Sequence, residues 1–285
     1  MTYYILMGVL SLGGAVLFAV LGVYFGRRFN HERVAEGHND VLVPLFLTAG
    51  VIYAVLLAFI VIAMWETYDG AKANTAEEAS LMVPLYRDSL SMAPEKGAEM
   101  RFLLHEYAHG VIEGWEHFRE TAQGSPAARL SVDKMMLFYG TLTPATKVRE
   151  IIAAQYLETL SQMLLDRNKR LLQAAESLSW IMWAAAIGGG VITVGMTFFL
   201  YMDRPLLQYV MTSVLSGLIG MLLFIMVVLE RPFVGPLGIE PEPFESSLKL
   251  FDQIDADVKQ IGDPKLIGIQ FIGLAKPVTP PAPAK

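Results

Sequence analysis

The chain has 285 residues, of which 54% are hydrophobic and 18% charged, with a mean hydropathy of +0.44. A soluble domain is nearer about 45–50% apolar and about a quarter charged. Its 22 basic and 28 acidic residues leave a net charge of −6, which gives no basic footprint for nucleic acid, and the lack of cysteine removes disulfides, thiolate catalysis, cysteine zinc sites and iron–sulfur clusters. The apolar excess is gathered into four long blocks, so the composition predicts an all-α integral membrane protein.

The first block, Tyr3 to Phe25, carries no charge and ends at Gly26-Arg27-Arg28. It lacks a basic leading region and its basic pair follows the apolar stretch, so it reads as a span and not as a cleaved signal peptide. Val41–Trp65, Ser177–Met202 and Pro205–Leu229 are likewise uncharged throughout. Each block is long enough to cross about 30 Å of hydrocarbon with some tilt. Trp65, Trp180, Trp183, Tyr24, Tyr201 and Tyr209 fall towards block ends, where amphipathic rings anchor at the interface. Arg27, Arg28 and Arg33 favour a cytoplasmic first loop, against Lys72, Arg167, Lys169, Arg170 and Arg231 near span ends on the other side. With an even number of spans, both termini and the insert between spans two and three then lie on the non-cytoplasmic side of a cell membrane.

The predicted organisation is spans one and two over residues 1–65, a helical extramembrane insert over 66–173, and spans three and four over 174–230. Residues 231–285 supply a loop, an amphipathic helix and a Pro/Ala-rich tail. In the insert, Thr75 and Glu78 stand at capping-box spacing before Ala79, Leu81, Met82, Val83 and Leu85. The stretch after Trp65 also reads as an outward continuation of span two as far as Pro84. Ala93-Pro94-Glu95 opens a helix expected to run to about Arg119, and Gly124-Ser125-Pro126 breaks it. A short apolar stretch follows from Met135 to Tyr139. Thr143-Pro144 begins a segment with no breaker before Gly188, predicted to be one helix of about 40 residues that enters the membrane as span three. Two spans would thus be extended as long stalks. After span four, Phe244, Leu248, Phe251, Ile254 and Val258 mark an amphipathic helix, and Lys276 to Lys285 reads as a mobile tail.

The sharpest literal motif is His105-Glu106-Tyr107-Ala108-His109. On a helix, histidines four apart share a face and can hold one zinc ion, while the glutamate activates the bound water. Glu113, Glu116 and His117 extend the stripe, but no third ligand is evident from pattern. The commoner reading is a solvated polar face, with zinc binding by His105 and His109, and a zinc-dependent hydrolase, as the sharper alternatives. Glycines and hydroxyls in the spans, among them Gly13, Gly14, Gly22, Gly188, Gly189, Gly190, Gly195, Thr193, Ser213, Ser216, Gly217 and Gly220, allow close helix approach or hydrate a conduction path. Gly50, Tyr53, Thr193 and Ser216 are the candidate pore-facing residues, and Glu77, Glu78, Arg167 and Arg170 the candidate vestibule residues.

Several segments, in this order, resemble the bestrophin-like domain family of bacterial and plant membrane proteins. They are Glu78-Ala79 with Leu81 and Leu85-Tyr86-Arg87; Tyr107 with Val111-Ile112 and Trp115-Glu116; and Arg167 with Arg170-Leu171 ahead of Trp180 and Trp183. Glu230-Arg231-Pro232-Phe233 with Gly235 follows span four. The resemblance covers nearly the whole chain from span one to about Phe251. It implies four spans, a helical insert and a homo-oligomer, and, by analogy with bestrophins, a pentameric anion channel. Bestrophins keep the insert in the cytoplasm, opposite to the side the Arg27-Arg28 argument gives. The functional expectation is an oligomeric protein that conducts inorganic ions, anions before cations, with membrane lipid and copies of itself as partners. The rival from another class is a non-conducting scaffold that binds a partner through its helical insert.

Overall fold

The computed structural model describes residues 2–30, 38–142, 146–200, 202–235 and 237–261, and every regular element among them is an α-helix. In chain order these are α1 (Thr2–Asn30), α2 (His38–Ser89), α3 (Pro94–Glu113), α4 (Trp115–Thr121), α5 (Pro126–Tyr139), α6 (Lys147–Ala175), α7 (Trp180–Thr197), α8 (Pro205–Leu229) and α9 (Glu242–Ile261). Four of them, α1, α2, α7 and α8, are long and apolar enough to cross a membrane. The fold is therefore all-α with four candidate spans, as composition predicts. Arg33, Thr143-Pro144, Tyr201, Pro236 and the tail from Lys276 to Lys285 lie outside the described residues.

Helix α2 passes Pro84 and continues to Ser89, 52 residues or roughly 78 Å. Thr75 and Glu78 consequently sit inside a helix and form no capping box. The Thr75 hydroxyl donates back to the Ala71 carbonyl at 2.8 Å, a bond open to any mid-helix threonine. The helix expected from Pro94 to Arg119 is two, divided at Gly114. A Cβ there would stand 2.6 Å from Ser125 Cβ, so the position needs glycine, and glycine weakens a helix interior. The Met135–Tyr139 stretch is the last part of α5, whose N-cap Ser125 accepts from the Ala128 N–H. The single helix expected from Thr143 into span three is also divided: α6 ends at Ala175 and α7 begins at Trp180. Ser179 caps the new start by accepting from the Ile181 N–H at 3.4 Å. Serines compete for backbone groups in this way, which is why Ser177 and Ser179 interrupt a pattern without glycine or proline.

The chain forms two compact units. The first is Met1–Thr75, Glu116–Gln123 and Arg167–Glu240. Its core gathers Ala19, Tyr53, Leu57, Ile60, Met64, Ala186, Val194, Ile219, Met226 and Leu229. On α2 these inward positions recur every three or four residues, the spacing of one helix face. Helix α1 lies along α8 through small residues: a Cβ at Gly220 would meet Ala15 Cβ at 2.8 Å and the Ser11 carbonyl oxygen at 3.0 Å. Ser11 Oγ donates to the Gly220 carbonyl at 2.8 Å and Ser216 Oγ to the Ala15 carbonyl at 2.6 Å.

The second unit is Ala76–Trp115, Gly124–Asp166 and Pro241–Lys285. Met100, Leu103, Leu104, Tyr107, Ala108 and Val111 form the buried stripe of α3, and Gly110 lets α5 approach so closely that a Cβ would lie 2.8 Å from the Ala128 nitrogen. Helix α9 is amphipathic as its spacing predicts. Phe244, Phe251 and Ile254 are buried; the Phe251 ring stacks on Tyr86 at 4.1 Å and Phe244 lies 6.1 Å from Trp115.

Candidate functional site

A polar group inside an apolar span must find a partner in the protein, because lipid offers none. Tyr53, Thr193 and Ser216 do so within their own unit. Tyr53 on α2 is buried and its hydroxyl donates to the Ala186 carbonyl of α7 at 2.9 Å. Its ring occupies the space that a Cβ at Gly189 would need, 2.4 Å away. Thr193, one turn on, donates to the Gly189 carbonyl at 2.8 Å. Tyr53 and Thr193 thus meet around Gly189, and Thr193 and Ser216 are 4% and 2% exposed. Gly50, by contrast, has no atom of the described residues within 4 Å of where its Cβ would be.

The glycines sort the same way. Gly8, Gly22, Gly26, Gly189, Gly190 and Gly220 face close neighbours inside the unit, whereas Gly13, Gly14, Gly50, Gly188 and Gly195 face open space. Around the open positions the surface is apolar and uncharged: Leu12 and Leu17 on α1, Val51, Ile52, Val55 and Phe59 on α2, and Ile187 and Ile192 on α7 are exposed.

One intramembrane polar group escaped the sequence reading. Gln208, in the first turn of α8, is buried; its amide nitrogen donates to the Thr197 and Leu200 carbonyls at 3.2 and 2.8 Å. Its carbonyl oxygen accepts from Arg27 Nη1 at 2.8 Å, and that same nitrogen reaches the Met202 carbonyl at 3.3 Å. Arg27 thereby ties the end of α1 to the connection between α7 and α8. A lone amide at the edge of an uncharged block was the available signal. At the far ends of α7 and α8, Trp183 Nε1 donates to Glu230 Oε1 at 3.0 Å. Phe233 packs edge-on against Phe118 at 5.0 Å, and Gly235, at φ 101°, sits in the left-handed region that favours glycine.

The vestibule candidates divide between surface and interior. Glu77 is exposed and Arg167 half-buried. Glu78 is buried and accepts a short hydrogen bond from the Tyr107 hydroxyl. Arg170 is buried with its guanidinium 4.9 Å over the Phe118 ring. Glu78 and Arg170 are thus built into the packing of their units.

His105 and His109 share a face of α3 with ring centroids 6.4 Å apart, as helical spacing requires. The His105 ring is held edge-to-face between Tyr86 at 5.7 Å and Phe251 at 5.2 Å, so it serves as part of the α9 seat. Burial lowers its pKa below the usual 6.5, against the pull of Asp252 and Asp255, and His109 adds to the lowering. Glu106, His109, Glu113, Glu116 and His117 are exposed. Among the described residues no group of three or more His, Asp or Glu side chains is placed to hold a metal ion.

A family model described as the Bestrophin-like domain matches residues 13–244, from the first span into α9. No curated protein and no solved structure matches the chain.

Proposed function

The chain belongs to the bestrophin-like family, and on that premise we propose that it is a homo-oligomeric membrane protein that conducts inorganic ions, anions in preference to cations. Family membership carries this reading. The span surface agrees with it: Gly13, Gly14, Gly50, Gly188 and Gly195 are open to close approach by another helix, in a setting where small residues drive helix association. No carboxylate lies in the uncharged blocks to bind a cation. The path belongs to the assembly, because Tyr53, Thr193 and Ser216 are spent within one unit. Gly50 and the uncharged, exposed residues on its own side of α2, Val43, Leu47 and Ala54, are the proposed lining.

We place the first loop and the α7–α8 connection in the cytoplasm. Arg27 ties the end of α1 to that connection, so Arg27, Arg28 and Arg204 gather at one end of the spans. Both termini and the insert then face the other way. Chloride efflux from vesicles holding the purified protein tests conduction. Efflux well above that of empty vesicles, reduced or gated by bulky substitutions at Gly50, supports the proposal; a protein that is monomeric and leaves efflux at the empty-vesicle rate overturns it.

A further inference from the structure

Away from the spans, the second unit holds an open cavity of about 160 Å3. The turn after α2 gives it Ser91, Met92 and Ala93, the first turn of α3 gives Lys96, the end of α5 gives Thr141 and Leu142, and the start of α6 gives Arg149, Ile152 and Ala153. Among the described residues its lining carries two cations and no acid. Lys96 lies 5.0 Å over the Phe138 ring, and its ammonium is 3.4 Å from Glu99 in a pair that stays solvated. Arg149 is exposed, and among the described residues no salt bridge involves it. Its backbone N–H is used by Thr146 Oγ1, which leaves the guanidinium fork for other partners.

The remaining lining is apolar or already committed. Ser91 Oγ donates to the Asp88 carbonyl at 2.7 Å and Thr141 Oγ1 to the Phe138 carbonyl at 2.7 Å, so neither hydroxyl has a proton left for a ligand. Met92, Leu142, Ile152 and Ala153 form a greasy floor. A cavity near 150 Å3 accommodates a benzene-sized body. A planar guanidinium with a nearby ammonium matches a carboxylate. Two cations at the rim over an apolar floor select a ligand with both parts.

We propose that this cavity is a binding site for a small amphiphilic carboxylate, with its anionic head between Lys96 and Arg149 and an apolar body of ring size on Met92, Leu142, Ile152 and Ala153. The ligand would bridge the α2–α3 turn to the start of α6.

Calorimetric titration of the full-length protein in detergent with benzoate tests it, with acetate and benzamide as partial ligands. The expected result is saturable benzoate binding at millimolar concentration or below, with acetate (no apolar body) and benzamide (no charge) at least tenfold weaker. Arg149→Gln, on an exposed side chain, should weaken benzoate at least tenfold, Lys96→Gln should act in the same direction, and Ile152→Trp should abolish binding by filling the floor. No benzoate binding at millimolar concentration overturns the proposal. So does an affinity that Arg149→Gln leaves unchanged, or benzamide binding as tightly as benzoate, since either detaches binding from the cationic rim.

Discussion

Gly220 and Gly14 lie on facing helices of one unit and meet opposite conditions. A Cβ at Gly220 would press on Ala15 Cβ and the Ser11 backbone, whereas at Gly14 it would meet nothing. Overpacking a well-fitted contact costs about 1–3 kcal/mol, and an open surface position costs under about 0.5 kcal/mol. Gly220→Val should therefore lower the thermal unfolding midpoint in detergent by several degrees, while Gly14→Val leaves monomer stability nearly unchanged. The buried Tyr107–Glu78 bond belongs to the same scale. Tyr107→Phe removes a hydrogen-bond donor from a buried side chain and should cost about 1–3 kcal/mol in chemical denaturation. His105 supplies the pH dependence. Its folded pKa lies below 6.5, so as pH falls the unfolded chain takes up this proton first, and the contribution to stability, present above 6.5, is lost beneath it. Burial is the main cause of the lowering; Asp252 and Asp255 oppose it and His109 adds to it. Unfolding midpoints followed from about pH 7.5 to about pH 5 should fall more steeply in the parent protein than in His105→Gln.

At the scale of elements, the division between α6 and α7 carries the Ser179 cap. Ser179→Ala should cost about 1 kcal/mol of thermal stability. Helix α9 depends on Phe251, whose ring packs on both Tyr86 and His105. Phe251→Ala should cost about 3–5 kcal/mol and free α9 for proteolysis. These elements also show what the sequence made legible. Pro205–Leu229 agrees to the residue with α8, because arginine, proline and glutamate mark its ends. The spacing of Phe244, Leu248, Phe251, Ile254 and Val258 predicted α9; Phe244, Phe251 and Ile254 are buried, whereas Val258, in its last turns, is 43% exposed. The breaks at Gly114 and at Ser177–Ser179 were illegible, since helical periodicity runs through both and only the approach of Ser125 or a serine cap decides them. At the candidate site the limit is similar. A hydroxyl in a span reads alike whether it faces a water path or a neighbour's carbonyl, and Thr193 and Ser216 take carbonyls. Gln208 offered a signal by its type alone, but its partners Arg27, Thr197 and Leu200 come together only in three dimensions.

For the whole molecule, an uncharged set of spans with open glycine positions goes together with membership of the bestrophin-like family. Sidedness is open to a clean test because the chain contains no cysteine. Ser246, exposed on α9, carries a label site as Ser246→Cys. A membrane-impermeant maleimide should modify it on intact cells; modification only after permeabilisation would reverse the proposed topology. Conduction itself is read most directly from the reversal potential of the purified assembly in a planar bilayer under a tenfold potassium chloride gradient. The account predicts a current that reverses towards the chloride equilibrium potential, about 59 mV from zero. A reversal on the potassium side, or a bilayer that stays silent with the assembly inserted, would contradict it.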